Sequence, residues 1–316
     1  MSFFTFRPLY QERIWGGRNL ASKLGRKLPE GKVIGESWEI VDRAEAMSVT
    51  TEGSSLRELI EADPERIMGL GWAADQPFPI LVKWLDCQKT LSLQVHPPKS
   101  AADDLGGQPK TENWYIADAE PGASIIAGLK RGVTRKSFEA ALNEDALESL
   151  VHTIPSHTGD SIFIQSGRLH AIGGGNLILE IQQNSDTTYR VYDWGRVGLD
   201  GKPRRLHIEE SLASTDFEDF EPTAIHTGKN SQVLAQSDVF DLKKLSLKNG
   251  ETVEFAQGQP RILSLVSGEL LCTDGRHLKH SQNALLPAAE DFSFKALSPC
   301  EVLVTENFNR NGGEAV

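Results

Sequence analysis

Most of this chain consists of short apolar segments separated by glycine, proline, asparagine and aspartate. Residues 79–85, 161–164 and 176–181 are examples, and each has the length of a single β-strand. Apolar runs of this length between turn-forming residues are typical of strands. The sequence therefore predicts a mainly β fold.

Two segments have helical spacing instead. Apolar side chains recur at intervals near three and four over residues 54–70 and again over residues 134–151. Thr134 suits the N-cap position, because its hydroxyl can accept a hydrogen bond from a free N–H of the first turn. We therefore expect a few helices inserted among the strands.

The chain has 316 residues, which is long for one domain, and its composition changes near residues 215–230. An acidic, turn-forming stretch there separates two sets of short strands. We predict one domain over residues 1–225 and a second, β-rich domain over residues 226–316. His277 and His280 lie close together in the second part, and we interpret them as surface residues rather than as a metal site.

The charge and the cysteines limit the possible partners and compartments. The formal net charge is −11 at pH 7, which argues against nucleic acid or an anionic membrane as the main partner. Cys87, Cys272 and Cys300 are far apart and odd in number, which indicates a reducing compartment rather than a disulfide framework. No signal-peptide pattern is present, and no apolar run approaches the roughly 18 residues of a membrane span. We expect a cytoplasmic protein.

Gln94 and His96 are two residues apart in a stretch with strand character. Alternate residues of a strand point to the same face, so an amide oxygen and an imidazole nitrogen would project together. Such a pair can begin a metal site, because imidazole suits zinc and a carbonyl oxygen can supplement it. A plain polar strand face is the alternative for the pair alone.

Residues 159–170 read as a turn, an apolar strand, a second turn and His170 at the start of the next strand. Glu112 precedes another extended, aromatic-rich segment and could complete a zinc shell with Gln94, His96 and His170. Taken singly, His170 could be a polar group in a hairpin, and Glu112 could be a surface residue at a strand edge. Together, four nitrogen and oxygen donors on strands favour a metal site.

A polar run over residues 182–188 follows an apolar strand and leads to Arg190. Arginine keeps its charge in proteins, so it suits stabilising an oxyanion or binding a phosphate rather than acting as a base. The alternative is a surface ion pair of Arg190 with Asp186 or Asp193.

These stretches together resemble type I mannose-6-phosphate isomerases of the short bacterial form, within the cupin superfamily. The resemblance rests on motifs in a fixed order, at residues 12–17, 35–40, 94–97, 110–112, 159–170 and 185–190.

The resemblance implies two cupin-type, jelly-roll β-barrels, with helices inserted in or flanking the first. Residues 1–225 would form the catalytic domain, and residues 226–316 a cupin-like domain without a metal site. It also implies an aldose–ketose isomerase that interconverts mannose 6-phosphate and fructose 6-phosphate by proton transfer through an enediol, with one zinc ion per chain as the Lewis acid.

The resemblance assigns the site residues as well. His96, Glu112 and His170 would be zinc ligands, with Gln94 as a fourth. Arg190 and Lys110 would be catalytic, whereas Ser92 and Lys83 would contact the phosphorylated hexose.

Other interpretations stay open at this stage. An iron-dependent cupin oxygenase or epimerase is one, although a shell with only two histidines fits it less well. A non-catalytic sugar-binding or regulatory cupin is another, and it predicts binding without conversion. Zinc-bound water, Lys110, Glu39 or another carboxylate could be the base, and the chain could be a monomer or a homodimer.

Overall fold

The computed structural model describes residues 2–144, 146–228 and 231–310. The chain forms two compact units. The larger unit comprises Tyr10–Glu36 and Trp84–His226, and the smaller unit comprises Met1–Leu9, Ser37–Lys83 and Thr227–Val316. The last of these breaks falls next to the predicted domain boundary at residue 225. Residues 1–9 and 37–83 pack with the C-terminal segment, so neither compact unit is one continuous stretch of the chain. The assignment of residues 1–225 and 226–316 to two domains stays a prediction.

The chain is mainly β, as predicted. The strands, numbered in chain order, are β1 Phe4–Thr5, β2 Leu9–Gly17, β3 Ile34–Ile40, β4 Asp42–Arg43, β5 Ala46–Met47, β6 Ile80–Cys87, β7 Leu93–Val95, β8 Glu112–Ala119, β9 Ser124–Leu129, β10 Val151–Pro155, β11 Asp160–Ile164, β12 His170–Ile172, β13 Asn176–Gln183, β14 Tyr189–Tyr192, β15 Ile225–His226, β16 Gln232–Gln236, β17 Asp241–Leu247, β18 Thr252–Phe255, β19 Arg261–Ser267, β20 Glu269–Cys272, β21 His277–Lys279, β22 Asn283–Leu286, β23 Phe292–Ala296 and β24 Cys300–Glu306.

Short helices lie between the strands: α1 Asn19–Ser22, α2 Leu56–Ala62, α3 Pro64–Met68, α4 Lys99–Ala102, α5 Arg135–Asn143, α6 Ile208–Ser214 and a single 3-10 turn at Leu147–Ser149. The helix predicted over residues 54–70 is two helices, because Pro64 has no N–H to continue α2 and instead starts α3. The helix predicted over residues 134–151 ends earlier, at Asn143. Its predicted N-cap is confirmed, since the Thr134 side chain accepts a hydrogen bond from the N–H of Ser137.

Two sheets build most of the larger unit. One has five strands in the order β10-β9-β12-β7-β14, and the other has seven in the order β15-β11-β8-β13-β6-β3-β2, where β3 and β6 are the strands in which the chain passes between the units. Apolar side chains of both sheets share one core cluster, which includes Ile125 and Ile172 from the first sheet and Trp114 and Ile162 from the second. The inward faces of the two sheets are therefore packed against each other.

The register of the five-stranded sheet places three polar residues in one row. His170 of β12 and Arg190 of β14 both lie opposite Gln94 of β7. Residues directly opposite in antiparallel strands have side chains on the same face. Leu93 and Val95, which alternate with Gln94, belong instead to a second core cluster on the other face, with Phe138 of α5. The alternation of β7 thus separates a packing face from a polar face.

The segment between β11 and β12 crosses from one sheet to the other. β11 pairs with β8 and β15, whereas β12 pairs with β7 and β9. The two strands read from residues 159–170 are therefore present, but they do not pair with each other as a hairpin would. This crossover brings His170 into the sheet that also carries Gln94.

The smaller unit contains a six-stranded sheet, β1-β22-β19-β24-β17-β16, and a four-stranded sheet, β18-β23-β20-β21. Both contribute to one apolar core, with Leu263 and Val302 from the first and Leu270 and Phe294 from the second. His277 and His280 are exposed, as predicted. His277 contacts the carboxylate of Glu269 at 2.8 Å, and His280 contacts the carbonyl oxygen of Val266 at 2.7 Å.

Within the described ranges, no helix has the length and apolar character needed to cross a membrane. Cys87, Cys272 and Cys300 are free thiols and are buried.

Candidate metal centre and active site

Three side chains of the larger unit converge on one point. The ligand-type atoms of His96, Glu112 and His170 all lie within 4.8 Å of one another. Nε2 of His96 is 3.5 Å from Oε2 of Glu112, and Nε2 of His170 is 3.6 Å from Oε1 of the same carboxylate. Ligands bonded to one zinc ion at about 2.1 Å are separated by about 3.4 Å in tetrahedral geometry. The cluster therefore has the dimensions of a site for a single ion.

The two sheets of the larger unit each contribute to this cluster. His96 follows β7 and His170 opens β12, and these strands are neighbours in the five-stranded sheet. Glu112 opens β8 in the seven-stranded sheet, where it lies opposite Ile164 and Gln182. All three side chains are buried, with exposures of 1% for His96 and 0% for the other two. Packing of the sheets is therefore what brings these distant residues together.

Backbone carbonyls fix the tautomers of both histidines. Nδ1 of His96 lies 2.8 Å from the carbonyl oxygen of Thr187, and Nδ1 of His170 lies 2.8 Å from that of Arg168. A carbonyl oxygen only accepts, so each Nδ1 carries the hydrogen and donates it. The lone pair of each Nε2 is then directed toward Glu112. Histidine ligands of metals are commonly held in this way, and a backbone acceptor leaves no signature in the sequence.

The cluster leaves buried acceptors unsatisfied. Among the described residues, Nε2 of His170 and Oε1 of Glu112 have no hydrogen-bond partner. Leaving a buried polar atom unpaired costs about 1–3 kcal/mol, and more if it is charged. A cation coordinated by these atoms would remove that cost. The donor set, two imidazole nitrogens and one carboxylate, fits a borderline divalent ion such as zinc.

Lys110 adds a positive charge beside the same carboxylate. Its Nζ forms an ion pair with Oε2 of Glu112 and donates a hydrogen bond to Nε2 of His96 at 3.1 Å. Burial acts against the charges of both groups, but their mutual attraction prevails. The pKa of Lys110 is raised, and the pKa of Glu112 is held well below its usual range by Lys110 and the two imidazoles. The carboxylate is therefore ionised at neutral pH.

Burial keeps both imidazoles neutral. It lowers the pKa of His96 to about 3, with a further contribution from the charge of Lys110, and it lowers the pKa of His170 to about 4. Neutral imidazole is the form that binds metals.

Gln94 and Arg190 lie in one row with His170. Gln94 is partly buried and shares its face with His170 through the register of β7 and β12. Arg190 donates from Nη1 to the carbonyl oxygen of Arg205 at 2.9 Å, and no described residue is a partner for its buried Nε. Asp193 instead accepts from Arg196 and Arg204. The sequence left open an ion pair of Arg190 with Asp193. In the structure, Asp193 forms its ion pairs with Arg196 and Arg204.

The predicted substrate contacts fall in different units. Ser92 is buried in the larger unit, two residues before Gln94. Lys83 is buried in the smaller unit, where its Nζ lies 4.9 Å from the centre of the Trp38 ring. Glu39, a candidate base, is buried in the same unit and accepts from Ser37 at 2.5 Å and from Asn283 at 3.2 Å.

Gln182 is a buried residue that the sequence did not single out as a site residue. It lies opposite Glu112 in the register of β13 and β8, and its amide nitrogen donates to the carbonyls of Gln183 and Ser185. Within the described part of the chain, its Oε1 has no partner. A polar residue with one unsatisfied acceptor beside Glu112 extends the polar lining of the cluster. Only the three-dimensional register reveals it.

Comparisons with known proteins show which family the chain resembles. The family model described as phosphomannose isomerase type I, catalytic domain, matches residues 3–127. The probable mannose-6-phosphate isomerase GmuF of Bacillus subtilis is 36% identical over 253 residues, covering 75% of this chain and 77% of that protein. The mannose-6-phosphate isomerase ManA of the same organism is 32% identical over 315 residues, covering 94% of this chain and 97% of that protein.

The fold matches as well. The crystal structure of the mannose 6-phosphate isomerase from Bacillus subtilis superposes with a TM-score of 0.86 at 30% identity, covering 96% of this chain and 99% of that one. This match confirms the mainly β, cupin-type fold predicted from the sequence. Because a relative that is 32% identical is matched over 94% of this chain and 97% of its own length, the chain belongs to the type I mannose-6-phosphate isomerase family.

Proposed function

We propose that this protein interconverts mannose 6-phosphate and fructose 6-phosphate with a zinc ion held by His96, Glu112 and His170, and with Gln94 as a fourth ligand. Membership of the family supports the reaction. The main support for the site is the convergence of three buried side chains with metal-binding atoms. Two of these atoms, Nε2 of His170 and Oε1 of Glu112, have no hydrogen-bond partner among the described residues.

Zinc is the ion that the donors favour. Catalytic zinc sites commonly have three protein ligands from histidine and carboxylate and keep a further position open. When bound, zinc supplies Lewis acidity that stabilises negative charge on the sugar oxygens. The protein contributes a water-poor surrounding, in which such electrostatic stabilisation is stronger than in water.

Lys110 is proposed to move the proton. Isomerisation transfers a proton between C1 and C2 of the sugar, so a titratable group must lie next to the metal ligands. Nζ of Lys110 contacts two of the three ligand residues, whereas the carboxylate of Glu39 already accepts from Ser37 and Asn283. This contact favours Lys110 among the candidates that the sequence left open. The pKa of Lys110 is raised beside the free Glu112 carboxylate, and a cation bound by that carboxylate would lower it toward the working pH.

Arg190 is proposed to share the negative charge that develops on the substrate. Its guanidinium belongs to the cross-strand row of Gln94 and His170, and its buried Nε lacks a partner in the described chain. Ser92 and Lys83 are proposed to bind the substrate, where a phosphate would supply remote binding energy for orientation. A cytoplasmic location remains our expectation.

The test is an assay of the purified, metal-loaded protein for fructose 6-phosphate formation from mannose 6-phosphate. Turnover is expected with zinc, and its absence with every divalent ion would refute the proposal. Lys110→Met and Arg190→Ala should both keep the metal and lose turnover by about 10²-fold or more. Lys89→Met and Arg205→Ala are matched controls, because both side chains are exposed. Full activity in either of the first two variants would remove that residue from the mechanism.

A further inference from the structure

A second cluster of two histidines and a carboxylate lies elsewhere in the larger unit. The ligand-type atoms of His157, Asp160 and His226 are within 4.8 Å of one another. Nδ1 of His157 is 3.2 Å from Oδ2 of Asp160, and Nδ1 of His226 is 2.6 Å from Oδ1. The two imidazole rings have centres 5.8 Å apart. Each carboxylate oxygen therefore faces one imidazole.

Backbone structure holds the three residues in place. His157 and Asp160 close the turn before β11, in which the N–H of His157 donates to Oδ2 of Asp160 and the N–H of Asp160 donates to the carbonyl of His157. His226 comes from β15, directly opposite Asp160 in the register of β11 and β15. Two segments that are 66 residues apart in the chain are thus joined at a fixed position.

Burial differs sharply within the cluster. The Asp160 side chain is 4% exposed, whereas those of His157 and His226 are 66% and 69% exposed. In the part of the chain that the structure describes, neither oxygen of Asp160 is paired with a lysine or arginine. A buried carboxylate without a permanently charged neighbour costs free energy, and a bound cation would lower that cost. The exposed imidazoles leave room for water on the remaining positions of a bound ion.

We propose that His157, Asp160 and His226 form a second metal site, which binds a divalent transition-metal ion such as zinc or cobalt. Two imidazoles and one carboxylate are a donor set that suits such ions. Each imidazole would bind through Nδ1, with its single hydrogen carried on Nε2, so the exchange is a change of tautomer without net loss of a proton.

The two distances between the imidazoles and the carboxylate have to change by less than an ångström, and the ligand atoms of the two imidazoles already lie within 4.8 Å of each other. Nitrogen and oxygen ligands of one ion are about 3.4 Å apart when the bonds are about 2.1 Å. The 3.2 Å contact of His157 is already close to that value, and the 2.6 Å contact of His226 must open by less than an ångström. Because the imidazoles are mostly exposed, small rotations of both side chains accommodate this change. A bound ion would fasten β15, which has only two residues, to the turn before β11.

His277 and Glu269 of the smaller unit provide a matched control. They also form an exposed imidazole–carboxylate contact, at 2.8 Å. This pair is not part of any three-residue group of possible metal ligands among the described residues. Removing His277 should therefore leave the metal content unchanged.

The experiment is equilibrium dialysis of the metal-free protein against zinc, followed by metal analysis. The wild type should bind two equivalents per chain, and His157→Asn combined with His226→Asn should bind one. His277→Asn should still bind two, and His170→Ala should retain only the equivalent at the second site. Equal zinc content in the wild type and the double variant would overturn the proposal. A wild type that binds one equivalent, lost in the double variant but kept in His170→Ala, would support the second site and contradict the buried one.

A second measurement covers the case in which the double variant does not fold. In a His170→Ala background, cobalt should produce visible absorption and raise the melting temperature, and adding only His226→Asn should abolish both effects. Retention of both effects would also overturn the proposal. The second site does not depend on the proposed function, because the double variant should keep the isomerase activity of the wild type.

Discussion

The larger unit contains two clusters that each combine two histidines with one carboxylate, but their surroundings are opposite. In the cluster of His96, Glu112 and His170, backbone carbonyls occupy both Nδ1 atoms, and the Nε2 atoms are directed inward. In the cluster of His157, Asp160 and His226, the Nδ1 atoms contact the carboxylate, and the imidazoles face water. The two clusters thus offer similar ligand types to an ion in very different surroundings.

The difference in burial gives the two clusters different chemical properties. The buried cluster has neutral imidazoles, an ionised carboxylate and Lys110 within one dry region, so a charge that forms there is poorly screened. The imidazoles of the exposed cluster have access to water, and no lysine of the described residues forms an ion pair with Asp160 as Lys110 does with Glu112. We therefore expect chemistry at the first cluster and only metal binding at the second.

The largest expected effect is a difference in isomerase activity between variants of the two clusters. His170→Ala should lower kcat/KM by about 10³-fold or more, because the metal supplies several kcal/mol of transition-state stabilisation. His226→Asn should leave kcat/KM unchanged. Steady-state assays with metal analysis test this, and the circular dichroism spectrum serves as the folding control. Equal losses in both variants would mean that the comparison is wrong.

A smaller effect should appear in the stability of the metal-free protein as pH changes. The unfolded state takes up a proton on His170 near pH 6.5, whereas the folded state does so only near its pKa of about 4. The stabilising contribution is therefore complete above pH 6.5 and is lost as pH falls from 6.5 to 4, by about 1.4 kcal/mol for each pH unit.

His170→Gln lacks this titration, so its free energy of unfolding should fall less steeply over the same range. Urea unfolding of both metal-free proteins at several pH values between 7.5 and 4 measures the difference. Parallel curves for the two proteins would contradict the assignment of a buried, neutral His170.

The smallest expected effect concerns Gln94, which has no counterpart proposed in the exposed cluster. Gln94→Ala should weaken zinc binding at the buried site by about tenfold, since one neutral ligand of four is lost. Competition with a chelator measures this affinity. An unchanged affinity would show that three ligands suffice and that Gln94 has another role.

Much of the fold was predictable from local patterns. The strands, the presence of helices near residues 54–70 and 134–151, and the N-cap at Thr134 depend on residues close in the chain, and the structure confirms them. The predicted helix bounds were wrong, because Pro64 divides the first segment and the second helix ends at Asn143. The packing of residues 1–9 and 37–83 with the C-terminal segment was not predictable, because it depends on long-range contacts. The same reason explains why β11 and β12, though consecutive, belong to different sheets.

For the site, the sequence allowed us to predict which residues are candidate ligands and that they lie on or next to strands. His96, Glu112 and His170 come together as expected, while the role of each residue stays a prediction. The contacts of Lys110, the carbonyls of Thr187 and Arg168, and the pairing of His226 with Asp160 depend on register and on backbone atoms. None of these has a marker in the sequence.

The row formed by His170, Gln94 and Arg190 has a consequence for natural and engineered length changes. A loop such as residues 165–169 can vary in length without turning the strands over. Deletion of a single residue inside β7 would exchange its two faces, sending the amide of Gln94 into the apolar layer and a leucine or valine toward the ion. Tolerance to insertions and deletions should therefore switch abruptly at the ends of β7, β12 and β14.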